Sequence, residues 1–263
     1  MSVKAVVTEQ LEFSADGMLA RAVPLSQFPW LKHGCTMRTF SPPDANRAHE
    51  LQHLRRYLEL PDETPILHAE QKHTAHVALF KPEDLEHLTH DHRHVYRQTD
   101  GIACAEAGQM LAILTADCAP IFIVNAKTRA IALVHAGWKG TAGRIAEHAV
   151  DVLIKSGSKV EELVTWIGPM IGGCCYEVSP EMITHFREQF ADASGAGVEF
   201  ANGRQLDLVA LNAFQLQRAG VPADNVHSSN VCTLHAKGQF YSYRGDAGTT
   251  GRIISTMYAT PQQ

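Results

Sequence analysis

Three apolar runs, 109–115, 120–125 and 129–135, follow one another through the middle of the chain with short polar breaks between them. Runs of this length bounded by turn residues predict buried β-strands, and 101–104 reads as another. Elsewhere the period changes. The stretch DANRAHELQHLRRYLEL, 44–60, carries apolar residues at helical spacing and ends before Pro61, which predicts a helix. Residues 65–80 read as extended chain. A further helix is expected over 141–156, with Ile145, Ala149, Val152 and Leu153 toward the core. A strand at 163–168, a helix near 180–191 and a helix over 207–219 opened by Asp207 as N-cap follow. The tail from 231 to 258 reads mainly as strand and Gly-rich loop. No repeat, low-complexity tract or Ser/Gly-rich linker interrupts this order. A single α+β domain over 1–263, with helices covering a mixed sheet, accounts for it.

The polar interruption NAKTR between two of the apolar runs predicts a hairpin. Pairing Asn125 with Ala130 sets Pro120 opposite His135. Cys118 then lies diagonally across from His135 on the same face, roughly 7–8 Å away at the backbone. A slip of one residue would send the two to opposite faces. A thiolate and an imidazole meeting at a strand end suit Zn²⁺, which gives the stretch LTADCAPI, 114–121, a reason to interrupt its apolar run with Asp117 and Cys118. A third ligand is offered by HAEQKHTAHVALF, with His68, His73 and His76 as candidates. His73 and His76 fall on opposite faces of an extended strand, and spacing does not choose among the three. Just beyond His135, AGWKGTAGR offers backbone N–H groups at a helix start, where a phosphate would bind; it serves equally as a tight strand-to-helix turn.

Composition narrows the function. A chain of 263 residues with 45% hydrophobic content buries a full core. The net charge of −5 argues against a nucleic-acid partner, which calls for a basic face. The start MSVKAVVTEQLEF lacks the apolar core of a signal peptide. The apolar stretch around 110–126 carries Asp117 and Pro120 and reads as strand, not membrane span. A soluble, cytoplasmic protein is expected. Six cysteines (35, 104, 118, 174, 175 and 232) are too few for a disulfide scaffold, and fifteen histidines exceed what packing needs.

LTADCAPI, VHAGWKGT (134–141), IGPMIGGCCYEV (167–178), VCT (231–233) and YSYRGDAGTTGR (241–252) resemble, in order and spacing, the YfiH-like proteins. These are also called peptidoglycan editing factor or multicopper polyphenol oxidase (laccase-domain) proteins. The resemblance runs from about residue 70 to the C-terminus. It implies a four-layer αββα sandwich around mixed sheet. Its Q-x-H element falls on Gln71, Lys72 and His73, which implies His73, Cys118 and His135 as a zinc-binding catalytic trio. This chain departs from the family pattern at Lys72, Thr74 and Lys139, and lacks the family's Gly-Gly and Asn-Leu-Gly segment after Arg38. The activities implied are phosphorolysis of adenosine, inosine and S-methyl-5'-thioadenosine, with adenosine deamination. Phenol oxidation and removal of mis-incorporated serine from cell-wall precursors are also linked to the family.

A His₂Cys zinc site with an open position suits hydrolytic chemistry, and adenine deamination adds a need for a proton-carrying carboxylate. Asp117 and Glu177 are the candidates. Phosphorolysis needs an anion site, for which the 137–141 turn and Arg244 stand out. The expected catalytic set is thus His73, Cys118, His135 and Asp117, with Arg38, Gly137, Cys175 and Arg244 at the substrate and purine nucleosides and phosphate as partners. Coupled copper sites need His-x-His pairs, and the only such run, HLTHDHRH (87–94), sits in a polar segment. A single Cu²⁺ would fit the same His₂Cys set. A metal-free hydrolase with Cys118 as nucleophile and His135 as base is the other enzymatic reading. A zinc-stabilised binding module without turnover is the non-enzymatic one. Adjacent Cys174 and Cys175 are expected to be reduced thiols shaping a pocket wall, since a disulfide between neighbours is strained.

Overall fold

The hairpin around Asn125 forms in the expected register: Asn125 N–H donates to the Ala130 carbonyl at 2.8 Å, and Pro120 pairs with His135. The turn is made locally, because the Asn125 Oδ1 accepts from the N–H groups of Lys127 and Thr128. The computed structural model describes residues 11–40, 46–87, 89, 91–248 and 250–262. The leader reading of residues 1–10, the first two residues of the 44–60 helix and His90 of the 87–94 run lie outside these.

In chain order, β1 (Leu11–Phe13), β2 (Leu19–Ala22), the one-turn α1 (Val23–Ser26) and β3 (Leu31–Thr36) come first. Helix α2 (Arg47–Tyr57) leads to β4 (Ile66–Ala69), β5 (Val77–Leu79), β6 (Arg93–Tyr96) and β7 (Gly101–Cys104). Next come β8 (Met110–Thr115), β9 (Ala119–Asn125), β10 (Ile131–Ala136), α3 (Trp138–Ala142) and α4 (Ile145–Lys155). The last part holds β11 (Leu163–Ile167), α5 (Pro180–Gln189), α6 (Ala191–Gly195), β12 (Ala201–Asn202) and β13 (Gln205–Leu206). Helix α7 (Leu208–Arg218), β14 (Val226–Ser228) and β15 (Ile253–Ala259) complete the order.

Among the described residues, one large sheet runs β1-β2-β3-β15-β8-β4-β6 and a second β14-β11-β9-β10-β7-β5, each mixing parallel and antiparallel pairs, while β12 and β13 pair separately. The two sheets face each other through Leu111, Ile113 and Met257 on one side and Phe122, Leu133 and Trp166 on the other. Successive residues of β9 alternate between cores. Phe122 and Val124 enter this inter-sheet layer, while Ile121 and Ile123 pack under the helices with Ala149, Leu153 and Leu211. That double burial is why β9 reads as a continuous apolar run rather than an alternating one. On the far face, Leu51 and Leu54 of α2 cover Ala112 and Ile254. Four layers, helix–sheet–sheet–helix, result as expected. Among the described residues no helix is long and apolar enough to cross a membrane.

One helix, one extended stretch and the tail differ from the sequence reading. The expected helix over 141–156 is two, α3 and α4, broken at Arg144, whose φ of 59° is left-handed. Arg144 is held there by Glu147 and Asp192 at 3.1 and 3.2 Å. Within α4, Ile145, Ala149 and Leu153 are buried as expected, whereas Val152 is half-buried at the margin of the stripe. The 65–80 stretch is two strands separated by a loop, and the 231–248 part of the tail is mostly turns, with β15 as its strand.

The interior carries titratable groups of its own. His33 is 3% exposed, and its Nε2 accepts the Ala22 N–H at 3.1 Å. Burial pushes its imidazole down to about 4. The unfolded chain, at the ordinary value near 6.5, therefore takes up a proton that the folded protein refuses. Stability is retained above pH 6.5 and falls as pH drops from there to about 4. At roughly 1.4 kcal/mol per pH unit the loss from His33 is on the order of 3 kcal/mol. Denaturant titrations at pH 7.5 and 4.5 check this, and His33→Gln is expected to remove a large part of the difference.

Candidate functional site

Three elements bring three candidate metal ligands together. Cys118 immediately precedes β9 and His135 lies on β10, while His73 comes from the loop between β4 and β5. Their ligand atoms lie within 4.8 Å of one another, and the two imidazole rings meet edge-on at 4.9 Å. The loop is built rather than merely connecting. Gln71 and His73 both take left-handed backbone angles, each with φ of 59°. The Gln71 side chain pairs with the Leu114 backbone on β8, its Nε2 donating at 2.6 Å and its Oε1 accepting at 2.7 Å. His68 and His76 are left out of the cluster. His68 sits within β4, and His76 Nδ1 contacts the Thr99 hydroxyl at 3.0 Å.

The group that organises the cluster is Asp100, which the sequence reading passed over. Its carboxylate, fully buried, accepts the N–H groups of Lys72, His73 and Thr74 at 3.1, 3.0 and 2.7 Å and the Thr74 hydroxyl at 2.8 Å. It also accepts His135 Nδ1–H at 2.8 Å, which leaves Nε2 as the free ligand atom. One carboxylate thus fixes the loop that carries one histidine and the ring of the other, the arrangement by which metal-ligating imidazoles are oriented. An acid directly ahead of the apolar strand 101–104 was the available signal.

Electrostatics follow the geometry. Burial alone would raise the Cys118 thiol, but hydrogen bonds from His135 and His73 outweigh it and bring Cys118 down to about 6. Burial would likewise lower His135; Asp100 and Cys118 together raise it instead. Two imidazoles and a sulfur that ionises readily, converging with one imidazole nitrogen already committed to a carboxylate, fit a divalent ion with affinity for nitrogen and sulfur.

Gly137 follows β10 at the point where the chain passes the cluster. A Cβ there would stand 3.0 Å from Cys118 Sγ and 3.1 Å from His73 Cδ2. Gly137→Ala is therefore expected to push the ligands apart at a cost of about 1–3 kcal/mol, roughly ten- to hundred-fold in metal affinity. A competition titration against a chromophoric chelator measures it.

Asp117 answers a different need. Its φ of 82° is left-handed, which Asp tolerates better than branched residues. Both carboxylate oxygens are engaged, one by the Thr233 hydroxyl at 2.6 Å and the other by the Arg244 N–H at 2.7 Å. Its carbonyl accepts the Ile171 N–H at 3.0 Å. Asp117 thereby ties the ligand strand to three separate segments.

A cavity of about 650 Å³ opens over the cluster, lined among others by Gln71, Trp138, Tyr176, Tyr243, Arg244 and Arg252. That volume is within the range of small-molecule sites. Of the four expected substrate-binding residues, Arg244 lines it, with its guanidinium 5.6 Å from the Tyr176 ring centre. Gly137 lies beside the ligands. Arg38 is not at the cavity wall: it pairs with Asp246 and stacks 4.5 Å over the Tyr241 ring. Cys175 is not among the residues lining the cavity, and its Sγ stands 3.1 Å from His235 Nε2. Glu177 is exposed and pairs with Arg204 at 3.0 Å. The 137–141 turn opens only α3, five residues long, too short to bring a strong helix dipole to bear on a phosphate.

Comparison with known proteins places these features in a family. The family model for multi-copper polyphenol oxidoreductase laccase matches residues 17–260. The purine nucleoside phosphorylase YlmD of Geobacillus stearothermophilus is 35% identical over 189 residues, 71% of this chain and 69% of that protein. The adenosine deaminase RL5, from an unknown prokaryotic organism, is 33% identical over 161 residues, 60% of this chain and 62% of that one. The crystal structure of Bacillus licheniformis hypothetical protein YfiH superposes with a TM-score of 0.82 over 96% of this chain and all of that one, at 24% identity.

Proposed function

This chain belongs to the multi-copper polyphenol oxidoreductase laccase family, and from that premise we propose that it is a zinc-dependent purine nucleoside enzyme of the cytoplasm. It phosphorolyses adenosine, inosine and S-methyl-5'-thioadenosine to free base and the sugar 1-phosphate, and it deaminates adenosine. The observation that carries the reading is the His73–Cys118–His135 cluster, backed by Asp100, at a cavity of about 650 Å³ with aromatic walls and two guanidinium groups. The names of its relatives, phosphorylase and deaminase, support the substrate class.

In this reading His73, Cys118 and His135 hold the zinc ion, which supplies Lewis-acid polarisation at the reacting centre. Asp100 orients the His135 ring and anchors the backbone of the loop that carries His73. Tyr176, Trp138 and Tyr243 offer faces for a purine ring, and Arg244 and Arg252 offer charge for phosphate. During phosphorolysis the bond from the ribose C1' to the purine breaks, a phosphate oxygen takes its place, and the base leaves with a proton. Asp117, next in the chain to Cys118, positions Arg244 by accepting its backbone N–H and is itself held by the Thr233 hydroxyl. Zinc is preferred to copper because two imidazoles and one thiolate with an open position make a catalytic zinc set. No His-rich coupled copper group appears among the described residues, where the two candidate groups are this trio and a Cys-rich one.

A second reading rests on the Cys118–His135 hydrogen bond: a Cys-His hydrolase that acts on cell-wall precursors without metal. One experiment separates the two. Purified protein is incubated with adenosine, with and without phosphate, and the products are resolved by chromatography. Adenine that appears only with phosphate establishes phosphorolysis, and inosine in both tubes establishes deamination. Adenosine left intact by folded, zinc-loaded protein sinks the nucleoside reading and puts the hydrolase first.

A further inference from the structure

The loop after β11 and the turn ahead of the C-terminal strand carry a second set of donors, unconnected with the nucleoside chemistry. Cys174, Cys175, Cys232 and His235 present ligand atoms that all lie within 4.8 Å of one another. The two adjacent sulfurs are 3.7 Å apart. Tetrahedral zinc with bonds of about 2.3 Å to sulfur sets its sulfurs about 3.8 Å apart. Cys175 Sγ stands 3.1 Å from His235 Nε2. Three thiols and one imidazole, with no carboxylate among them, form one of the donor sets used by structural zinc sites.

The backbone prepares this meeting. Cys175 N–H donates to the Gly172 carbonyl at 2.9 Å, which closes a turn that projects both adjacent thiols. Gly172 has no Cβ to intrude: one there would lie 3.2 Å from Cys174 Sγ. The Gly172 N–H points at Cys232 Sγ from 3.3 Å, the kind of donor that supports a ligating thiolate. On the opposing segment, Ala236 N–H donates to the Cys232 carbonyl at 2.9 Å. That turn brings His235, three residues on, back to the same side. A bridge between Met170 and Cys232 sets the two segments side by side. Thiols serving only as packing need not converge on one point with an imidazole, and here the outer two donors, Cys174 and His235, are exposed rather than packed.

We propose that Cys174, Cys175, Cys232 and His235 bind a second zinc ion, a closed four-ligand site that clamps the 170–176 loop to the 231–236 turn. Binding displaces three thiol protons to solvent and involves no change of oxidation state. Because all four positions are filled by protein, the site holds structure and leaves no position for substrate. Its effect reaches the cavity through both clamped segments. Ile171 and Tyr176 line the cavity wall, and Thr233, next to Cys232, donates its hydroxyl to Asp117 at 2.6 Å.

The test is zinc content by elemental analysis of the full chain expressed with zinc and purified under reducing conditions. Two equivalents per chain are expected in the wild type. One is expected in Cys118→Ala and one in the double variant Cys174→Ser/Cys232→Ser. Cobalt-loaded Cys118→Ala should show the near-ultraviolet charge-transfer absorption of several thiolates together with tetrahedral visible bands. Should the double variant fail to fold, the Cys118→Ala protein decides alone. Metal-free Cys118→Ala overturns the proposal, as does cobalt absorption with no thiolate contribution. A disulfide among Cys174, Cys175 and Cys232 found by thiol titration also overturns it.

Discussion

Asp100→Ala is expected to cost the protein both its metal and a large part of its stability. The carboxylate satisfies three backbone N–H groups, a hydroxyl and the His135 ring in a fully buried position. Each buried donor left without a partner costs about 1–3 kcal/mol. Even with water entering to rescue some of them, several kcal/mol are lost from a total that for domains is typically about 5–15 kcal/mol. Asp100→Asn keeps the shape and one acceptor oxygen. It should fold and lose zinc affinity by roughly ten- to hundred-fold, the usual range for a partner of a ligating histidine. Denaturant midpoints of both variants, with zinc competition on the Asn form, check the pair of expectations. Unchanged zinc affinity in Asp100→Asn would show that the carboxylate does not set the ligand geometry.

Cys118→Ala is expected to have the opposite profile, with small structural consequences and complete functional ones. Cys118 sits at the mouth of the hairpin, partly open to the cavity, so removing its sulfur leaves the inter-sheet layer intact. The thermal midpoint measured on metal-free proteins should change little. Nucleoside turnover should fall by more than the roughly hundred-fold allotted to an orienting residue, because the proposed site would lose one of its three ligands. Product chromatography with wild type and variant side by side measures the ratio. A variant that keeps a tenth or more of the wild-type rate contradicts the assignment of Cys118.

What was legible in the sequence was local. The β9–β10 hairpin was legible because Asn125 makes its own turn, and the register assumed from it, the one that keeps Cys118 and His135 on one face, is the register observed. The cap of α7 was equally local: Asp207 accepts the Ala210 N–H at 3.0 Å. The αββα order and the choice of His73 came from family resemblance, since the β4–β5 loop has no periodicity that points one histidine at Cys118. Asp100 escaped because three of its partners are backbone N–H groups of residues 72–74, which no pattern of side chains reveals. The short strands β1 and β2 were missed since a run of three or four residues carries too little alternation to read. Helix α4 was misjudged at its start because the break depends on Arg144 reaching Asp192 far along the chain. The sequence reads Cys174 and Cys175 only as pocket wall because Cys232 and His235 lie about 60 residues further on and reach them through a tertiary bridge between Met170 and Cys232.

In the proposed reading, nucleoside turnover depends on an ion held by His73, Cys118 and His135. The most direct measurement strips the protein with a chelator, adds zinc back in steps, and follows adenosine consumption in phosphate buffer at each step. Activity should vanish on stripping and return with zinc to the starting rate, while Cys118→Ala stays inactive throughout. Full activity in the stripped protein, with metal analysis showing the trio empty, would contradict the claim and leave Cys118 as a nucleophile in its own right.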